Sequence, residues 1–196
     1  MILSKQQYMY YLEQDRIALG KPKASIKQWI KDFLFPDYIY QFQKLLRKVE
    51  YTKNCKKGFL GKLKHIWLVF WFKRLSLKLG FSIPPNVFGP GLAIIHYGTI
   101  VVNANAKVGA NCRIHPSTCI GASGGSSKAP QIGNNFYIAP GVKIYGDIII
   151  ANNIATAANA AVSSSFTEEN ILIGGVPAKR IKEIDISGII KHLRKQ

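Results

Sequence analysis

Along the second half of the chain, aliphatic residues recur at every sixth position. Val102, Val108, Ile114, Ile120, Ile132, Ile138, Ile144, Ile150 and Val162 keep the step, and only Ser126 and Thr156 interrupt it. A small residue tends to follow, as at Gly109, Gly121, Gly133, Ala139, Ala151 and Ala157. A period of six matches neither the period of about 3.6 of a helix nor that of 2 of a flat strand. It predicts a chain coiled into three flat faces. Each aliphatic side chain points inward at the same place on successive faces, and its small neighbour permits the corner. Such arrays belong to β-helices. A shorter series, Phe88, Ile94 and Ile100, lies two residues out of register with the main one, so an irregularity is expected near His96–Val102.

Residues 1–80 carry helical spacing instead. Tyr8, Tyr11, Leu12, Asp15, Ile17 and Leu19 predict an opening helix stopped by Gly20 and Pro22. A second helix is expected from Ser25 to about Phe35, before Pro36. A third runs from Asp37 to about Tyr51 on Ile39, Phe42, Leu45, Leu46 and Val49. The segment Gly58–Gly80 encloses seven apolar residues, Ile66 to Phe72, flanked by Lys62, Lys64, Lys73, Arg74 and Lys78. Seven is far short of the ~20 that a bilayer span requires. Such a helix either packs on the β-helix or on another subunit, or lays Trp67, Trp71 and its cations against a membrane face. The organisation expected is a mainly β chain in three parts: an α-helical region over 1–80, the β-helix over 81–180, and a short C-terminal helix or tail over 181–196.

Composition refines this picture in two ways. With 47% hydrophobic residues in 196 positions, the chain has ample material for a core. The net charge of +17 is unevenly placed: residues 1–80 hold 17 Lys/Arg against 5 Asp/Glu, and the rest hold 10 against 5. The basic surface is thus mainly N-terminal and suits anionic lipid or an anionic substrate. No helix-turn-helix, zinc-finger or aromatic RNA-binding pattern accompanies it, so no nucleic-acid partner is expected. Cys55, Cys112 and Cys119 have no metal-ligand or paired spacing, no His/Cys/carboxylate cluster suggests a metal, and the opening residues lack the apolar stretch of a signal peptide. A reduced cytoplasmic setting is expected, with a place at the inner face of the cytoplasmic membrane as the N-terminal charge allows.

One histidine stands apart. His96 sits in Gly89-Pro90-Gly91-Leu92-Ala93-Ile94-Ile95-His96-Tyr97-Gly98, at the register break, and imidazole can take and return a proton near neutral pH. His115, within a coil, is a weaker candidate. The stretch Gly89–Asn103, the hexapeptides after it and the closing Ile173-Gly174-Gly175-Val176-Pro177-Ala178-Lys179 resemble the serine acetyltransferase group of hexapeptide-repeat acyltransferases, over about residues 80–182. The resemblance implies a left-handed parallel β-helix, a homotrimer, acetyl-CoA as donor and His96 as general base. It also implies donor contacts. Gly121, Ala122, Ser123 and Gly124 open the loop that lies along the pantetheine arm. Ala139, Gly141, Ala157 and Ala158 stand at corners that meet its amides, and Lys179 and Arg180 are placed near the CoA phosphates.

Three departures bear on the acceptor. Family members acting on free serine have an Asp directly before the His, where this chain has Ile95. They have another Asp about fifteen residues earlier, where Phe81 stands. Their acceptor loop carries a basic run in place of Lys128-Ala129-Pro130. The entry Ile83-Pro84-Pro85-Asn86, the form of His96 to Asn103 and the segment Tyr11–Leu19 look closer to members that O-acetylate sugars of bacterial capsule and lipopolysaccharide. The expected activity is therefore acetyl transfer to a surface-glycan hydroxyl, with transfer to L-serine as the alternative and a non-catalytic binding β-helix as a third reading. Asp15 and Lys128 are the expected acceptor contacts.

Overall fold

The computed structural model describes residues 1–23 and 25–195. Four helices come first: α1 (Lys5–Ala18), α2 (Ile26–Leu34), α3 (Tyr38–Cys55) and α4 (Phe59–Leu79). The first three begin on side-chain caps, with Ser4, Ser25 and Asp37 accepting from Gln7, Gln28 and Tyr40 backbone N–H groups. The fourth ends at Gly80 in the left-handed region, φ +77°.

Three parallel sheets then wrap one core. The first stacks β1 (Phe81–Ser82), β3 (Ile100–Val102), β6 (Thr118–Gly121), β9 (Lys143–Tyr145) and β12 (Ala161–Val162). The second holds β4 (Lys107–Val108), β7 (Gln131–Ile132) and β10 (Ile149–Ile150). The third holds β2 (Ala93–Ile94), β5 (Arg113–Ile114), β8 (Tyr137–Ile138), β11 (Ala155–Thr156), β13 (Ile171–Gly175) and β14 (Ala178–Glu183). The periodic residues fill the interior as the step predicts: Ile114, Ile120, Ile138, Ile144 and Val162 are all fully buried.

Register shows how the coil departs from regularity. A regular turn takes eighteen residues, as between Lys143 and its neighbour Ala161. Ile94 pairs with Ile114, twenty residues on, while Ile100 pairs with Thr118 at the regular spacing. The two additional residues therefore lie between Ile94 and Ile100, in the corner that carries His96. In β3 both Ile100 and Val102 face the core, which is how the two series exchange register. Ile120 pairs with Ile144, twenty-four on, so the glycine/serine loop adds one six-residue step and keeps the phase.

The strand β14 returns antiparallel to β13 and continues to Glu183, past the expected end at residue 180. Two 3₁₀ turns, Ile186–Gly188 and Lys191–Lys195, make up the C-terminal segment. Ile186 and Ile190 pack on Ala155 of the third sheet.

Candidate active site

The corner that bears His96 is held from both sides. The Ile95 N–H donates to the Ile114 carbonyl at 3.2 Å, and the Gly98 N–H donates to the Leu79 carbonyl, at the end of α4, at 3.0 Å. Gly98 has φ +134°, and a Cβ there would stand 3.1 Å from Cβ of Pro116. Glycine is favoured because L side chains rarely adopt that φ, and the next coil leaves a Cβ little room. His96 itself is exposed on this corner. Among the described residues no side chain hydrogen-bonds its ring. Phe81 is buried in the core edge-on to Phe42 at 5.0 Å.

Below the corner the coil has no preceding turn to pair with, and helix side chains supply the missing partners. Asp15 Oδ1 accepts from the backbone N–H groups of Gly91 and Leu92, both at 2.9 Å. Arg47 donates to the carbonyls of Phe88 and Gly89, at 2.9 and 2.6 Å. Glu50 accepts from the Asn86 N–H at 2.7 Å. Gln43 accepts from the Ile94 N–H and donates to the Leu92 carbonyl, at 2.9 and 2.6 Å. Arg47 also bridges Asp15 and Glu50 at 2.8 and 3.0 Å. Burial works against its charge, but the two carboxylates outweigh it and hold the guanidinium above its ordinary range. Among the described residues no buried side-chain polar atom lacks a partner.

This corrects the expectation for Asp15. With 2% of its surface exposed and both oxygens engaged by Arg47 and the coil backbone, it is not reachable by an acceptor. It positions the segment leading to His96. The sequence signal was present, since Asp15 falls among the apolar positions of α1 and so on its buried face.

His115 lies on the neighbouring coil. Its Nδ1–H donates to the Ile138 carbonyl at 2.8 Å, and its ring packs on Tyr137 at 5.1 Å. Burial pushes its pKa below the ordinary imidazole value; the Ile138 bond works against this, and Arg113 and His96 reinforce it. Its ring is fixed by that bond and that contact. Cys112 is buried, which pushes its thiol far up and makes it a packing residue.

On the expected donor side the loop from Gly121 stands out from the coil. Gly124 and Gly125 adopt φ +59° and +76° with no atom within 4 Å of a Cβ built there, so their backbone is open to a ligand. The Asn105 amide donates to the Ser127 carbonyl at 2.7 Å, anchoring the loop's far side. Lys128 pairs with Asp147 at 2.6 Å, which engages its ammonium group across the loop. Ala158 and Lys179 are exposed, whereas Ala139 is buried. The Ala139 and Ala157 N–H groups already donate to Thr156 Oγ1 and the Ile173 carbonyl, at 2.9 and 2.8 Å. Any ligand contact at those two corners falls to their carbonyls. Arg180, on β14, pairs with Glu168 at 2.9 Å. Among the described residues no group of three His, Cys or carboxylate side chains is arranged to hold a metal.

No protein-family model matches the chain. The serine acetyltransferase of Staphylococcus xylosus is 30% identical over 107 residues, which cover 53% of this chain and 49% of that protein. That of Staphylococcus epidermidis is 31% identical over 107 residues, 53% and 50% of the two chains. The chain thus spans about half the length of the curated relatives it matches. Among solved structures, serine acetyltransferase from Brucella abortus superposes with a TM-score of 0.72 at 23% identity, covering 92% of this chain and 71% of that one. The enzyme from Neisseria gonorrhoeae gives 0.70 at 23%, covering 92% and 68%. A further Brucella abortus structure, solved in complex with coenzyme A, gives 0.71 at 23%, covering 92% and 70%. These likenesses establish the fold as that of the serine acetyltransferases, a left-handed parallel β-helix behind a helical N-terminal region.

Proposed function

We propose that the protein is an acetyl-CoA-dependent O-acetyltransferase with His96 as general base. The observation that carries this reading is an exposed histidine on a two-residue insertion between β2 and β3, clamped on both sides by backbone hydrogen bonds. A hydroxyl is a weak nucleophile at its own pKa and needs an adjacent base. His96 takes the acceptor's proton as its oxygen forms a bond to the acetyl carbonyl. The carbon–sulfur bond then breaks, and the proton passes to the departing CoA thiolate. The open Gly124–Gly125 backbone and the exposed Ala158 and Lys179 suit a pantetheine arm and its phosphates.

For the acceptor, the site residues favour a surface-glycan hydroxyl: Ile95 precedes His96, and Phe81 is committed to the core. The names of the relatives favour free L-serine. Thiol release from acetyl-CoA, measured with L-serine and with a panel of sugars, separates the two. Turnover on sugars alone is expected, saturation by L-serine transfers the reading to cysteine synthesis, and no release with any acceptor refutes it.

The reading also places the protein at the inner face of the cytoplasmic membrane. Among the described residues no helix is long and apolar enough to cross a membrane. However, α4 exposes Phe59, Leu60, Ile66, Trp67, Phe70 and Trp71 on the side away from the core, with Lys62, Lys64, Lys73 and Arg74 exposed beside them. An apolar face rimmed by cations suits an anionic lipid surface.

A further inference from the structure

On the face formed by β2 and β5, the end of α1 and the final 3₁₀ turn enclose a groove of about 620 Å³. A smaller hollow of about 200 Å³, bounded by Asp37, Tyr40, Ile94 and Ile95, adjoins it through the shared residues Leu19, Lys21 and Arg113. Ile95, the residue before His96, is part of the wall of this hollow. Together they have the size of sites that enclose ligands larger than one amino acid.

The lining is cationic: Arg16, Lys21, Arg113 and Lys191, with His192. Arg16 is engaged by Glu13 and Lys21 by Asp37. Arg113 and Lys191 pair with no carboxylate among the described residues. Arg113 is half-buried, and its charge reaches two histidines. Burial first, and then Arg113, push His192 below its ordinary range; His115 feels both Arg113 and His96. A half-buried guanidinium in a concave site, with no carboxylate paired to it, is a strong receptor for an oxyanion, because its planar fork can donate two parallel hydrogen bonds.

Resting on the O-acetyltransferase reading, we propose that this groove binds an oxyanion of the acceptor, a phosphate or carboxylate carried on a sugar. Arg113 and Lys191 hold it, and the sugar's hydroxyl is thereby presented at His96.

Isothermal titration of the full chain with inorganic pyrophosphate, and separately with glucuronate, tests this. Saturable binding of at least one is expected, weakened tenfold or more by Arg113→Gln and by Lys191→Gln. Lys107→Gln, on the second sheet, is expected to bind like the unaltered chain. Pyrophosphate binding assigns a phosphorylated acceptor and glucuronate binding a carboxylated one. Lys191 is exposed in the final turn, so its replacement tests the groove even if Arg113→Gln disturbs the coil. Absence of binding by the unaltered chain, or equal binding by every variant, overturns the proposal. Displacement of pyrophosphate by CoA also overturns it, because the anion site would then belong to the donor. A chain that releases no thiol from acetyl-CoA yet binds pyrophosphate through Arg113 retains the groove and refutes the acetyltransferase reading.

Discussion

A side chain proposed to exchange protons with a substrate has to be reachable, and His96 is exposed on the corner of its coil that is two residues over-long. No partner orients the ring among the described residues, so its aim depends on the backbone clamps at Ile95 and Gly98. His96→Ala is expected to lower kcat by about 10²–10⁴, the usual contribution of a positioned base, with CoA affinity unchanged. Turnover near that of the unaltered chain would remove His96 from the chemistry. His96 could be singled out because its glycines and the broken six-residue step are local in the sequence. The backbone partners of Asp15 and the surroundings of Arg113 are not local. Asp15 acts on residues 76 and 77 positions away, and Arg113 acquires its meaning only where α1 and the last turn meet β5.

The helices α1 and α3 serve the coil as a substitute for its missing first turn. Arg47 is the centre of that arrangement, fully buried between two carboxylates and two backbone carbonyls. Removing one member of a buried ion pair costs about 3–5 kcal/mol, because the charge left behind is unpaired. Arg47→Met is therefore expected to lower the melting temperature by roughly 10 °C or more. His96→Ala is expected to leave it in place. A shift of under about 2 °C for Arg47→Met would mean that the helices dock by apolar contact alone. α4 belongs to a different problem, since it is apolar on both sides: Leu68 and Phe72 enter the core while Trp67 and Trp71 face out. Its sequence carries five Lys/Arg and no carboxylate, and each cation near an anionic surface is worth on the order of 1 kcal/mol. The chain is expected to sediment with anionic vesicles, much less with neutral ones, and to be released by salt. Equal partitioning that ignores salt would assign the aromatic face to packing between subunits.

For the molecule entire, we propose a homotrimer in which the donor lies between neighbouring β-helices. Light scattering across micromolar concentrations is expected to give three times the 21.8 kDa of one chain, and a monomer would sink a site shared between subunits. The coil was read from the sequence with little loss, since a six-residue step is visible without any long-range information; the register break, expected near His96–Val102, lies between Ile94 and Ile100. What composition and spacing left open was how the ends of the coil are finished. That is a matter of which backbone groups lack a neighbour. A stack of parallel strands is a template: each bare rim can recruit the next identical strand, from its own chain or from another molecule. Here the lower rim is occupied by Asp15, Gln43, Arg47 and Glu50, and at the upper end of the third sheet β14 runs against the grain with Lys179, Arg180 and Lys182 along it. Both finishes reduce the opportunity for end-to-end growth, so that the fold's repetitiveness, which elsewhere invites fibres, stays finite.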